Sequence, residues 1–296
     1  MVRRHELSDE QWQVIEPLLP VSGAAGRPRV DDRRVINGML FKAKTGVAWR
    51  DLPERYGPWK TVYNRFWRWS RNGTLTMLVS KAQVIAEAID ELDREVSVDS
   101  SIVRAHQHAA GARRLAAGRT GGTIAGRAGR TRVDHAIGRS RGGVTTKIHL
   151  ACDGHGRPLS VVLTGGNVND CTMFEQVMAG ICIRRHPAQR PGRPWRRPVR
   201  VIADKGYSSR AIRAYLRRRG IAATIPERVD QQAGRRRRGS QGGRPPAFDP
   251  RVYRRRNVVE RCFNRLKQYR AIATRYDKTA QSYQGMIDLA TLLIWL

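Results

Sequence analysis

Acidic residues are scarce in this chain. Its 296 residues carry 25 Asp and Glu against 56 Lys and Arg, a formal net charge of +31 at pH 7. Such a surplus repels itself in the compact state and favours fast, salt-sensitive association with a polyanion. Cysteine is also rare. Cys152, Cys171, Cys182 and Cys262 lie far apart with no Cys-x-x-Cys pair. That argues against a zinc ribbon or a disulfide framework and fits a reducing cytoplasm. No apolar run approaches the roughly 18 residues of a membrane span. The opening Met-Val-Arg-Arg-His-Glu leads into a polar amphipathic segment, so neither a signal peptide nor a membrane partner is expected. There is no Gly-x-x-x-x-Gly-Lys loop, hence no expected nucleotide cofactor, and Ser100 and Ser101 lack a nucleophile elbow. Composition therefore points to nucleic acid as partner; a ribosomal or packaging protein would share the bias, so the reaction must come from motifs.

What is present begins with short helices. Ser8 and Gln11 stand at capping-box spacing ahead of Trp12, Ile15, Leu18 and Leu19, and Pro20 stops the run. Val21 to Val30 reads as a Gly/Pro linker. Asp31 or Asp32 caps a second helix reaching Gly46, and a third spans Trp59 to Arg71, opened at Pro58 and ended by Asn72-Gly73. This third helix sets Tyr63, Phe66 and Trp67 for packing beside Lys60, Asn64, Arg65, Arg68 and Arg71, the mixture a recognition helix needs to read base edges and hold phosphates. A basic face on an ordinary bundle is the alternative. Leu75 to Leu92 continues as a linking helix.

From residue 96 the periodicity changes to alternation. Val96–Val103, Thr145–Cys152 and Leu159–Thr164 read as strands, the last two joined by a hairpin at Asp153-Gly-His-Gly156. Asp170 caps a helix through Phe174, Val177, Met178 and Ile181. A strand at Val199–Ala203, a helix from Ser208 or Ser209 to Arg219 and a strand at Ile221–Ile225 follow. Three strands, helix, strand, helix, strand, helix is an α/β order giving a mixed sheet, the order of the ribonuclease-H-like fold. The expected organisation is a helix-turn-helix-like all-α DNA-binding domain at 1–73, a connecting helix at 74–94 and a ribonuclease-H-like catalytic domain at 95–296. Basic insertions at 104–144 and 229–249 are expected to be mobile until they meet a phosphate backbone.

One further stretch carries the chemistry. At about 100° per helical residue, Tyr253, Arg256, Glu260 and Lys267 fall within roughly 60° of one another. Val252, Val259, Phe263 and Leu266 form an apolar stripe beside them. Asp99 lies within the first strand and Asp204 ends the fourth, where open α/β sheets place their sites. In this fold those strands are neighbours and the last helix crosses them, so Asp99, Asp204 and Glu260 can converge. Clustered carboxylates need a cation, and hard oxygen ligands select Mg²⁺ or Mn²⁺. Two such ions clamp the attacking and leaving oxygens of a phosphoryl displacement. His106, His108, His135 and His149 form no clear zinc set and are assigned to DNA contact or local structure. Asp153 and Asp170 are read as a turn residue and a helix cap.

These residues make the chain resemble a DDE transposase of a bacterial insertion sequence, in the group of insertion sequences four and five. The family signature of Tyr, two residues, Arg, three residues, Glu, six residues, Lys stands as Tyr253, Arg256, Glu260 and Lys267. Further family-like blocks are Trp49–Arg65, Val98–His108, Ala136–His149, Ala203–Tyr207 and Ile272–Lys278. The resemblance implies Asp99, Asp204 and Glu260 as metal-binding triad, with Lys267 and Arg256 holding phosphate oxygens and Tyr253 positioning DNA or packing. It implies hydrolysis of a phosphodiester at each element end and joining of the 3′-OH to target DNA, with double-stranded DNA as partner and a homodimer or higher assembly pairing the ends. Arg104, His106, Arg139, Arg141, Lys147, Lys205 and Arg235–Arg238 join Lys60, Asn64, Arg65, Arg68 and Arg71 as expected DNA contacts. A metal-dependent nuclease that joins nothing and a DNA-binding repressor are the competing readings. The apolar run Leu289–Leu296 ends the sequence abruptly, which suggests a few missing residues.

Overall fold

The N-terminal helices form where their caps allow. Helix α1 (Asp9–Ile15) starts from Ser8, whose side chain accepts from Gln11 N while Gln11 accepts from Ser8 N. That capping box satisfies two of the backbone donors a helix start leaves open. It passes into a 3₁₀ turn at Glu16–Leu18, earlier than the stop at Pro20 implied. Helix α2 (Asp32–Thr45) is capped by Asp31 and closed by Gly46 at φ 73°, a left-handed conformation that favours glycine. Helix α3 spans Trp59–Arg71, and α4 (Thr74–Ala88) is shorter than the apolar pattern to Leu92 suggested. Val62, Phe66 and Trp69 are the buried residues of α3, whereas Trp67 is 43% exposed. The packing aromatic is therefore Trp69, since the 3.6-residue period from Val62 and Phe66 leads to it and past Trp67.

The structure, a computed structural model, describes residues 4–20, 30–111, 124–125, 131–132, 135–189 and 192–296. The linker at 21–29 and much of the first basic insertion lie outside these described residues.

The sheet follows. Strands β1 (Glu95–Ala105), β2 (Gly143–Asp153) and β3 (Pro158–Gly165) form an antiparallel meander. Asp153 closes its hairpin as a fully buried turn residue, accepting from His155 N, Arg157 N and Arg157 Nε. Helix α5 (Asp170–Gly180) leads to β4 (Arg200–Ala203), then α6 (Arg210–Arg218) to β5 (Ala222–Thr224). Both β4 and β5 run parallel to β1, in the order β3-β2-β1-β4-β5. Short strands at Gly138–Ser140 and Thr274–Arg275 pair with β2 and β1. This is the ribonuclease-H-like mixed α/β sheet expected from the element order. Asn169, not Asp170, caps α5: its side chain accepts from Cys171 N, which leaves the Asp170 carboxylate available to Lys147 at 2.8 Å.

Two C-terminal segments depart from the sequence pattern. Residues 229–237 form a helix, α7 (Val229–Arg237), where a mobile loop was expected. Gln231 anchors it by accepting from Ser208 Oγ (2.7 Å) and donating to Ser208 O (2.6 Å). The stretch from Tyr253 to Lys267 is not one helix. A turn at Pro250–Tyr253 and a 3₁₀ turn at Arg254–Arg256 precede α8 (Asn257–Lys267). Helix α9 (Ala280–Trp295) packs against α3 and α4. One buried cluster runs from Ile15, Met39 and Phe66 through Leu289 to Val98 and Val201, so the helical N-terminal part and the sheet share a core.

Candidate active site

Adjacent parallel strands bring the first two acids together. The last register pair of β1 and β4 is Val98–Ala203, so Asp99 and Asp204 follow side by side. Asp204 caps the 3₁₀ turn Lys205–Tyr207, its Oδ1 accepting from Gly206 N at 2.8 Å. Asp99 Oδ1 accepts from Ser100 N at 2.8 Å. Burial pushes the Asp99 carboxyl above its ordinary range and nearby Asp204 adds to that, while Ser100 N–H and Arg256 oppose it. The buried Tyr207 phenol is also held up, first by burial and then by Asp170, Asp99 and Asp204.

Helix α8 supplies the third acid. Val258, Val259, Cys262, Phe263 and Leu266 bury its apolar face, which turns Glu260 and Lys267 along the sheet. Arg256 joins the acids: Nη1 donates to Asp99 Oδ2 at 2.8 Å and Nη2 to Glu260 Oε1 at 2.5 Å. Burial disfavours the Arg256 charge, but Asp99, Tyr253 and Glu260 outweigh it and raise its pKa. Lys267 Nζ donates to Ser101 Oγ at 2.6 Å, its pKa lowered by burial. Tyr253 packs against Phe248 with the rings tilted, centroids 5.3 Å apart.

The donor chemistry of Asp99, Asp204 and Glu260 fits a hard divalent cation, since all three are carboxylates and Asp99 is largely withdrawn from water. They do not form a ready cage: among the described residues no three acid, His or Cys side chains converge on one point. Arg256 lies between Asp99 and Glu260 as an internal cation.

The expected DNA contacts divide by what already holds them. Lys60, Asn64, Arg68 and Arg71 are exposed on α3, as are Arg104, Arg139, Arg141, Lys205, Arg236, Arg237 and Arg238 elsewhere. Arg65 is tied to Asp32 and Arg235 to Glu227. Lys147 is buried, donating to Val168 O at 2.7 Å beside Asp170. His106 caps a four-residue turn by accepting from His108 N. His149 is buried against Thr164 Oγ1 at 2.8 Å and its pKa is pushed down to about 4, chiefly by burial.

Sequence reasoning passed over two groups. Arg275 is fully buried and donates to Asp277 O, Ala136 O, Thr146 Oγ1, His135 O and Lys278 O. No periodicity betrays such a residue. The second is the run Arg184 to Arg200, seven arginines with no acid. Its density alone was a signal.

Among the described residues no helix is long and apolar enough to cross a membrane. Residues 7–79 match the family described as "Putative transposase of IS4/5 family", and residues 90–295 that described as "Transposase DDE domain". The "Putative transposase for insertion sequence element IS6501" of Brucella ovis is 32% identical, over 52% of this chain and 99% of that protein. The corresponding figures for the "Putative transposase for insertion sequence element IS402" of Burkholderia cepacia are 33%, 50% and 62%. "Uncharacterized protein y4sN" of Sinorhizobium fredii is 42% identical over 38% of this chain and 87% of its own length. A Mos1 transposase paired-end complex aligns over 93% of this chain and 80% of that one, with a TM-score of 0.26 and 13% identity.

Proposed function

The chain belongs to the DDE transposase family of insertion sequences, and from that premise we propose that Asp99, Asp204 and Glu260 are the triad with which it transposes DNA. Transposition by this family cuts the ends of an element and joins them to a target, and it depends on a divalent metal. The observation that supports the triad is that Asp99 and Asp204 each directly follow the register pair Val98–Ala203 of adjoining strands, with Glu260 linked to Asp99 through Arg256.

We assign the metal as Mg²⁺ or Mn²⁺, two ions held by the three carboxylates. Bound there, the metal supplies an activated water and charge stabilisation at the transferring phosphoryl group. The chain's own residues do the rest. Asp99 and Asp204 stay fixed by the Ser100 and Gly206 backbone amides. Arg256, between Asp99 and Glu260, and Lys267, beside Ser101, are the guanidinium and ammonium groups that would offset charge on phosphate oxygens. Exposed Lys60, Asn64, Arg68 and Arg71 on α3 are assigned to the element end, consistent with a DNA-binding unit at 1–73 joined by 74–94 to a catalytic unit at 95–296. Pairing two ends calls for a homodimer or higher assembly.

The test is cleavage of an element-end duplex by Asp99→Ala, Asp204→Ala and Glu260→Ala. Each should lose divalent-dependent cleavage while duplex binding changes little. A variant that still cuts removes its residue from the triad.

A further inference from the structure

At the end of the sheet remote from Asp204 lies a second basic site that the reaction does not use. Arg94, Arg185, Arg193, Trp195, Arg196 and Arg197 line a cleft of about 450 Å³, with Glu87 the only acid on its walls. The cleft opens where β1 and β4 begin: Val199 N donates to Arg94 O at 3.0 Å. From Val199 to Asp204 is five residues, about 16 Å of extended chain at about 3.3 Å each. The two sites therefore occupy opposite ends of β4.

The cleft is built rather than incidental. Ile183 and Trp195 exchange both backbone hydrogen bonds, at 3.0 and 2.7 Å, and fasten the base of the loop between them. Pro194 and Pro198 fix φ on either side of Trp195, and Arg219 Nη2 donates to Arg196 O at 3.0 Å, tying the wall to the end of α6. Among the described residues the side chains of Arg94, Arg185, Arg193, Arg196 and Arg197 make no ion pair or hydrogen bond. Arg200, only three positions on, is by contrast held by Glu95 at 3.1 Å. Five guanidinium groups clustered about a single carboxylate, Glu87, leave a net positive charge that is unfavourable until an anion arrives. Arg used without a single Lys across 184–200 favours planar, bidentate phosphate recognition.

We propose that this cleft grips the phosphodiester backbone of a second DNA duplex, distinct from the one at Asp99 and Asp204, so that each chain holds two duplexes at once. The proposal rests on the chain's acting on DNA but not on the assignment of the triad. Its test therefore needs no cleavage: failure of the triad and failure of the cleft are read separately. A bead-bound duplex is loaded with protein, and retention of a labelled second duplex is measured. The parent should retain it. The variant carrying Arg185→Gln, Arg193→Gln, Arg196→Gln and Arg197→Gln should stay on the bead-bound duplex within about tenfold of parental affinity, yet capture of the second duplex should fall to the no-protein background. Parental capture by this variant overturns the proposal, because bridging then comes from oligomerisation. Loss of the variant from the bead-bound duplex overturns it too, since the cleft would then serve the first duplex. Should the variant melt early, phenylglyoxal labelling of the parent decides. Arg193, Arg196 and Arg197 should become protected only when the second duplex is added, and unchanged labelling refutes the site.

Discussion

Replacing Arg256 with Met isolates the role of the internal cation. Arg256 bridges Asp99 at 2.8 Å and Glu260 at 2.5 Å, with side chains 19%, 22% and 51% exposed respectively. Breaking a fully buried pair costs about 3–5 kcal/mol, whereas exposed pairs contribute about 0–1. One partner here is half exposed and the others about one-fifth, so the metal-free loss should be about 1–2 kcal/mol. For a chain of this size that is a fall in Tm of about 2–3 °C. Asp99, already raised by burial, loses the guanidinium that opposes that rise. On the proposed triad, a divalent ion entering the parent competes with Arg256 for Asp99 Oδ2 and Glu260 Oε1, whereas in Arg256→Met those two oxygens meet no guanidinium. Thermal melts with and without saturating Mn²⁺ read both effects. The variant should melt below the parent without metal and gain more from Mn²⁺, and its Mn²⁺ isotherm should be tighter. Equal melting without metal, or an equal or smaller gain on adding it, would refute the view of Arg256 as a stand-in cation.

Three stability predictions accompany it. Arg275→Met should cost about 3–5 kcal/mol in denaturant melts, because it strands the carbonyls and hydroxyl that Arg275 serves and leaves Asp277 without one of its cations; a loss below about 1 kcal/mol would contradict this. Asp288 is raised by burial despite hydrogen bonds from Thr76 Oγ1 (2.6 Å) and Gln284 Nε2 (2.7 Å). A carboxyl raised in the fold contributes stability below its unfolded pKa, and that contribution is lost as pH rises through the folded one. Asp288→Asn should therefore gain on the parent as pH rises from 4 to 8, and a constant difference across that range would exclude the titration. Gly166→Ala should cost about 1–3 kcal/mol, because its Cβ would run into Thr145 Oγ1 on β2; a melt equal to the parent's would show that Thr145 yields freely.

How far the sequence could be read depended on the range of the interaction. Local rules placed Ser8 and the Gly46 stop and narrowed two other caps to Asp31 or Asp32 and to Ser208 or Ser209, because a cap involves only neighbours. Alternation located β1 to β5 within a residue or two, and the element order implied the strand order. Asp170 reads as a cap in the sequence, but Asn169 caps the helix and the Asp170 carboxylate pairs with Lys147, a tertiary contact that no local rule shows. Helical phase assumed a continuous helix from Tyr253 to Lys267, whereas a 3₁₀ turn at Arg254–Arg256 interrupts it, although Tyr253 still lies near enough to raise the pKa of Arg256. Arg275 was invisible for a stronger reason. Its partners lie at 135, 136 and 146 as well as beside it, and only the folded chain brings them together.

Charge was the loudest sequence signal and the least discriminating. A surplus of +31 makes every arginine look like a DNA contact, yet the fold has already committed many of them. Arg65, Arg157, Arg200, Arg235 and Arg256 neutralise acids, and Arg275 satisfies backbone carbonyls. A cation already engaged must give up its partner before it can hold a phosphate, so it adds less to DNA affinity than an unengaged one. The salt dependence of binding should therefore follow the unpaired groups, about 0.9 in log–log slope for each phosphate neutralised. On that argument Arg193→Gln should flatten the slope measured with two duplexes and Arg65→Gln should leave it unchanged, although Arg65→Gln removes the same charge. Equal slopes for the two variants would mean that net charge, and not its placement by the fold, governs how this chain holds DNA.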